Sequence, residues 1–102
     1  MKEIRLLMTG VGGPGARGYI YSLQKNPERT IRVVGTDLSA DIDPEIRECL
    51  DAFYTIPRAG APEYLSTLLK LCRDEKIDVL LPLNTAELNC LSEHREIGRA
   101  HV

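Results

Sequence analysis

The chain has 102 residues, 43% hydrophobic and 27% charged, with a net charge of −2 and a pI near 5.7. That length supports one domain around one layered core, and the mildly acidic balance argues against a nucleic-acid backbone as partner, which needs a basic face. No apolar run approaches a membrane span, and the N-terminus lacks a signal-peptide pattern.

Three cysteines, Cys49, Cys72 and Cys90, are odd in number and widely spaced. With no CxxC pair or Cys/His cluster they read as reduced, mostly buried thiols of a cytoplasmic protein, and no metal site is expected.

Residues 4–9 (IRLLMT) are apolar on both faces, which suits a buried parallel strand. The glycine run GVGGPG follows, and residues 16–25 read as a helix with Ile20 and Leu23 inward, stopped at Asn26-Pro27. Residues 31–35 (IRVVG) form a second, β-branched strand that ends at Thr36-Asp37. Asp43-Pro44 pairs an N-cap with a proline at the first helical position and opens a short helix to about Leu50. Residues 52–56 (AFYTI) give a third strand, halted by Pro57.

Pro62 opens the clearest helix, in which Leu65, Leu68, Leu69 and Cys72 at i, i+3, i+4 and i+7 form one stripe. Residues 77–81 (IDVLL) make a fourth strand, stopped by Pro82. Asn84, with Glu87 three residues on, is a capping-box-like start to a helix carrying Leu88, Leu91 and Arg95 on one face. Strict β-α alternation with short links implies an α/β Rossmann-like three-layer sandwich. Right-handed crossovers then favour a parallel sheet of about four strands in the order 3-2-1-4.

Gly10, Gly12 and Gly15 satisfy G-x-G-x-x-G between a strand and a helix, with Gly13 as an extra break and Pro14 removing one N–H donor. Asp37, at the end of the second strand, stands where a carboxylate can accept from a ribose diol, so a nicotinamide-dinucleotide site is one reading. A sharp turn with Asp37 capping the next loop is the other. Arg17, in the first turn after the glycines, suits a phosphate or carboxylate, or simply solvent. Asn84, Thr85 and Glu87 follow the fourth strand at the edge where open α/β sheets bind ligands, beside the glycine loop if the order is 3-2-1-4. They serve equally as helix caps. Tyr21 and Lys25 match a reductase-type Y-x-x-x-K spacing but lie in the wrong helix for that chemistry. His94 and His101 have no nucleophile or metal partner, and no catalytic constellation is visible.

Four segments together carry a family likeness: LLMTGVGGPGARGYIYSL, VVGTDLS, AFYTIPRAGAPEYLSTLLKLCRDEKIDVLLPLNTAEL and EHREIG. In this order and spacing the chain resembles the N-terminal, pre-ATP-grasp domain of ATP-grasp ligases of the carbamoyl-phosphate synthase large-subunit-like kind. The resemblance implies a substrate-facing domain that packs against a following ATP-grasp module. The module supplies the ATP and magnesium sites, and the parent enzyme activates a small carboxylate for attack by an amine. Gly10, Gly12, Gly13, Asp37 and residues 84–87 are the positions it would turn toward the cleft. No catalytic residue or cofactor is then expected on this chain, which would be inactive alone. One departure is that the acidic residue often found around Thr85-Ala86 is absent, leaving Glu87.

Residues 98–102 end where a fifth strand would begin, so truncation before that strand and the ATP-grasp module is expected, with oligomerisation through bared sheet or helix surface as one consequence. Two other readings stay open. One is an NAD(P)-binding domain of a dehydrogenase or epimerase, and the other is a stand-alone binding domain from a split gene.

Overall fold

The computed structural model describes residues 3–13, 15–25 and 30–93. Pro14, the Asn26-Pro27 stop, His94, Arg95, His101 and the segment 98–102 lie outside the described residues. The elements are β1 (Glu3–Thr9), α1 (Ala16–Gln24), β2 (Thr30–Asp37), α2 (Pro44–Cys49), β3 (Ala52–Thr55), α3 (Tyr64–Asp74), β4 (Val79–Pro82) and α4 (Thr85–Glu93).

All pairings are parallel and the strand order is β3-β2-β1-β4, as the alternation predicts. Side chains alternate across a strand, so neighbouring apolar residues feed opposite layers. Leu6, Met8 and Val33 pack with Ala16 and Ile20 of α1 and Ile46 of α2. Leu7, Val34 and Leu80 pack with Tyr64 and Leu68 of α3 and Leu91 of α4. Both faces of β1 are therefore buried from Leu6 to Thr9, which is why residues 4–9 read as a mostly apolar run. Leu7 is fully buried, and its replacement by alanine is expected to cost about 2–5 kcal/mol, a large share of the roughly 5–15 kcal/mol that holds such a domain.

An aspartate fastens each short outer strand at its start. Asp51 Oδ2 accepts from Val33 N at 2.7 Å while Asp51 N donates to Val33 O at 2.8 Å. Asp78 does the same to Arg5, with Oδ2 accepting at 2.9 Å and N donating at 2.7 Å. Strand β4 consequently begins at Val79, later than the apolar run suggests, because Ile77 closes the preceding helix. Ile77 N donates to Cys72 O at 2.9 Å and Lys76 N to Arg73 O at 3.3 Å, with Lys76 left-handed at φ 54. This is a Schellman closure with lysine where glycine is usual.

The end of α3 is also tied to the sheet through Glu75. Arg32 Nη2 donates to its carboxylate at 3.2 Å, Tyr54 Oη donates to the other oxygen, and Arg5 Nη1 donates to its carbonyl at 3.1 Å. The Tyr54 hydrogen bond, then Arg32, hold the Glu75 carboxyl below the ordinary glutamate range despite partial desolvation.

The α3 stripe is centred slightly earlier than its leucine spacing implies. Tyr64 and Leu68 are fully buried, Leu65 and Cys72 pack at the margin, and Leu69 stands exposed. In α4, Leu91 is buried and Leu88 faces out. All three cysteines are half-buried. Among the described residues no helix is long and apolar enough to cross a membrane.

Candidate functional site

The chain builds from β1 through β2 to β3 in one direction and then places β4 on the far side of β1. The crevice at the carboxyl edge of the sheet is accordingly lined from the loops that follow β2 and β3 and from the start of α4. Gly10 leaves β1 with φ 72, and a Cβ at this position would stand 3.2 Å from Asn84 Nδ2 and 3.6 Å from Glu87 Oε1. Glycine thus lets the β1 loop lie directly against the start of α4.

The glycine loop turns most of its donors inward. Gly10 N and Val11 N both donate to Thr36 O, at 2.8 and 3.2 Å, and Gly13 N donates to Gly10 O at 3.0 Å. Gly12 N donates to Asp37 Oδ1 at 3.2 Å, and Ser39 N donates to Asp37 Oδ2 at 3.3 Å. Asp37 thereby bridges the loops after β1 and β2. Arg17 faces α2, where Nη2 lies 2.7 Å from Asp43 Oδ2 and Nη1 3.2 Å from Glu45 Oε2. Asp43 also caps α2, Oδ1 accepting from Glu45 N at 2.9 Å. Tyr21 and Lys25 form a surface stack, with the ammonium 4.1 Å from the ring centre.

A cleft of about 310 Å³ opens at the carboxyl edge, with Asp37, Arg58, Asn84 and Glu87 as its polar lining and Leu38, Ile56 and Pro57 among its apolar walls. Thr85 opens α4 as an exposed residue and is not part of that lining. The structure therefore brings Asp37, Asn84 and Glu87 to one cleft, with Gly10 and Gly12 packed behind them and Arg17 elsewhere.

Glu87 is 7% exposed and is held by two neutral donors. Asn84 Nδ2 donates to Oε1 at 2.6 Å, and Tyr64 Oη donates to Oε2 at 2.6 Å. Asn84 Oδ1 also accepts from Glu87 N at 2.8 Å, which caps α4. The capping box forms with one change, because the glutamate reaches the side-chain amide of Asn84 and turns its second oxygen to α3. Among the described residues no lysine or arginine pairs with Glu87, and Arg58 has no ion-pair partner. Burial, followed by the bond to Glu87, pushes the Tyr64 hydroxyl far above the ordinary tyrosine value, so it stays a donor.

Thr9 and Thr36 face each other in register as the last buried residues of β1 and β2. Their hydroxyls are fully buried and have no hydrogen-bond partner among the described residues. Alternation places both on the Leu7/Val34 face, the side of the sheet that carries Tyr64 and Glu87.

Sequence reasoning passed over Arg58 and Tyr64. Arg58 follows Pro57, where the third strand stops, and Tyr64 lies outside the Leu65, Leu68, Leu69 and Cys72 stripe that marks α3. A fully buried tyrosine hydroxyl demands a polar partner, a requirement that becomes visible only once packing shows Tyr64 to be buried. Among the described residues no group of three His, Cys, Asp or Glu side chains is arranged to hold a metal ion.

No curated protein matches the chain significantly. The family model for PylC-like N-terminal domains matches residues 6–101, nearly the full length and every element of the sheet. The chain therefore belongs to the PylC-like N-terminal domain family, a domain of the pre-ATP-grasp type.

Proposed function

We propose that the chain is the N-terminal, substrate-facing domain of an ATP-dependent carboxylate–amine ligase, of the carbamoyl-phosphate synthase-like kind. Membership of the PylC-like N-terminal domain family supports the ligase assignment. The observation that carries the site is the cleft at the carboxyl edge of the sheet, where Asp37, Arg58, Asn84 and Glu87 converge.

In this reading ATP and magnesium belong to a following ATP-grasp module, and the enzyme works in the cytoplasm. This domain holds a small carboxylate substrate against that module while an acyl phosphate forms and an amine attacks. Arg58, which pairs with no carboxylate among the described residues, offers the substrate carboxylate a guanidinium suited to a planar two-point contact. The carboxylates of Asp37 and Glu87 and the amide of Asn84 set the substrate's orientation.

The test has two arms. The 102-residue chain mixed with ATP, magnesium and candidate amino acids is expected to release no ADP, and sustained ADP release from it would overturn the assignment. Joined to an ATP-grasp module in its natural reading frame, the domain is expected to support turnover. Arg58→Ala or Glu87→Gln is then expected to lower kcat/KM about tenfold or more, the scale of one lost charged hydrogen bond.

A further inference from the structure

Glu87 places a carboxyl group in the protein interior, and among the described residues no lysine or arginine pairs with it. Taking a carboxylate out of water is costly unless an opposite charge or several hydrogen bonds replace the lost solvent. Here two neutral donors, Tyr64 Oη and Asn84 Nδ2, take one position each on Oε2 and Oε1. A carboxylate has about four acceptor positions, so roughly half of its capacity remains. The free capacity belongs to a side chain that lines the cleft.

Two further features point the same way. The hydroxyls of Thr9 and Thr36, on the sheet face that carries Tyr64 and Glu87, are buried and have no partner among the described residues, so that layer holds unused hydrogen-bonding capacity. A Cβ at Gly10 would stand 3.6 Å from Glu87 Oε1, so the carboxylate lies beside the end of β1. The lining cation, Arg58, is the natural partner of a ligand carboxylate, which leaves Glu87 for the ligand's other end.

We propose that Glu87 is the specificity-determining residue of the cleft, selecting ligands through a protonated amine, and that Tyr64 is its positioning residue. This inference rests on the reading of the cleft as the substrate site. An ammonium group brings three donors and a full charge, which matches the unused acceptor positions and supplies a counter-charge that no described residue provides. A neutral hydroxyl of equal size would gain the hydrogen bonds without the charge. Tyr64 acts through Glu87 by fixing the rotation of the carboxylate, and its donor role survives across the working pH range because its hydroxyl stays protonated.

The experiment titrates the 102-residue chain with butylammonium, 1-butanol and butyrate and follows backbone amide shifts by NMR. Butylammonium is expected to shift the amides of Asn84 and Glu87 and to bind about tenfold more tightly than 1-butanol. Glu87→Gln is expected to remove that preference while leaving the butyrate response, centred on Arg58, in place. Tyr64→Phe keeps the charge but frees the carboxylate, and is expected to reduce the preference severalfold. A purely structural role for Tyr64 would weaken all three probes alike. Dispersed amide spectra of each variant establish that it is folded, and the wild-type preference alone decides the matter if a variant is not. Equal binding of butylammonium and 1-butanol by the wild type, or an unchanged preference in folded Glu87→Gln, would overturn the inference while butyrate binding left the substrate-cleft reading standing. No shift at the cleft with any of the three would overturn both.

Discussion

Gly12 and Asp37 are in direct contact: Gly12 N donates to Asp37 Oδ1 at 3.2 Å, and a Cβ added at Gly12 would stand 3.0 Å from Asp37 Oδ2. Asp37 also accepts from Ser39 N at 3.3 Å, so one carboxylate gathers the loops that follow β1 and β2. Any side chain at position 12 must push that carboxylate away from one or both donors. Gly12→Ala is expected to destabilise the domain by about 1–2 kcal/mol, the cost of weakened charged hydrogen bonds, read from the urea midpoint at unchanged slope. A midpoint equal to wild type would mean that the bridge contributes nothing.

The same contact bears on dinucleotide binding. A pyrophosphate needs loop N–H groups that point outward, whereas Gly10, Val11 and Gly13 donate to backbone carbonyls and Gly12 to Asp37. Calorimetric titration with NAD(H) and NADP(H) is expected to give no heat of binding. Micromolar binding that vanishes in Asp37→Ala would restore the dehydrogenase reading.

Much of the fold was legible because its signals are local. Apolar runs end at Gly10, Pro57 and Pro82, the Asp43-Pro44 pair marks a helix start, and strict alternation leaves few topologies. What escaped depends on pairing across the chain. Glu87 reads locally as half of a capping box, and only packing of α3 against α4 brings Tyr64 to its second oxygen, 23 positions away in sequence. Ile77 reads as strand because Val79, Leu80 and Leu81 follow it closely, yet its N–H is spent on Cys72 O. No glycine announces that helix end. Arg17 shows the converse, since its place after the glycine loop suggests an anion site, while its guanidinium reaches across to α2.

Lys76 supplies a direct test of that unannounced helix end. Its φ of 54 is strained for a side chain with a Cβ, and glycine adopts it freely. Lys76→Gly is expected to raise stability by about 0.5–1 kcal/mol, the relief of strain less the added flexibility of the unfolded chain. Thermal unfolding checks this through a rise of a few degrees in Tm for a domain of this size. A fall in Tm would show that the lysine side chain makes a compensating interaction.

Tyr64 predicts an alkaline weakness. Its folded hydroxyl is raised far above the ordinary value of 10.0, chiefly by burial and then by the bond to Glu87. A raised folded pKa contributes stability that is complete below the unfolded value and fades as the unfolded chain ionises, so the loss begins above about pH 10. Tyr64→Phe is expected to be less stable than wild type at pH 7, because the buried carboxylate loses a donor, and to lose less stability between pH 9 and 11. Parallel pH profiles of the two proteins would contradict the assignment of that loss to Tyr64.

The central claim is that the carboxyl-edge cleft is where this domain meets a small-molecule ligand. The most direct measurement is an amide shift map of the 102-residue chain titrated with 4-aminobutyrate, which carries a carboxylate for Arg58 and an amine for Glu87. Saturable shifts are expected, confined to Asp37 and Leu38, to Arg58 and Ala59, and to Asn84 and Glu87, with α1 undisturbed. Shifts centred on the outer face of α1, or none anywhere, would contradict it.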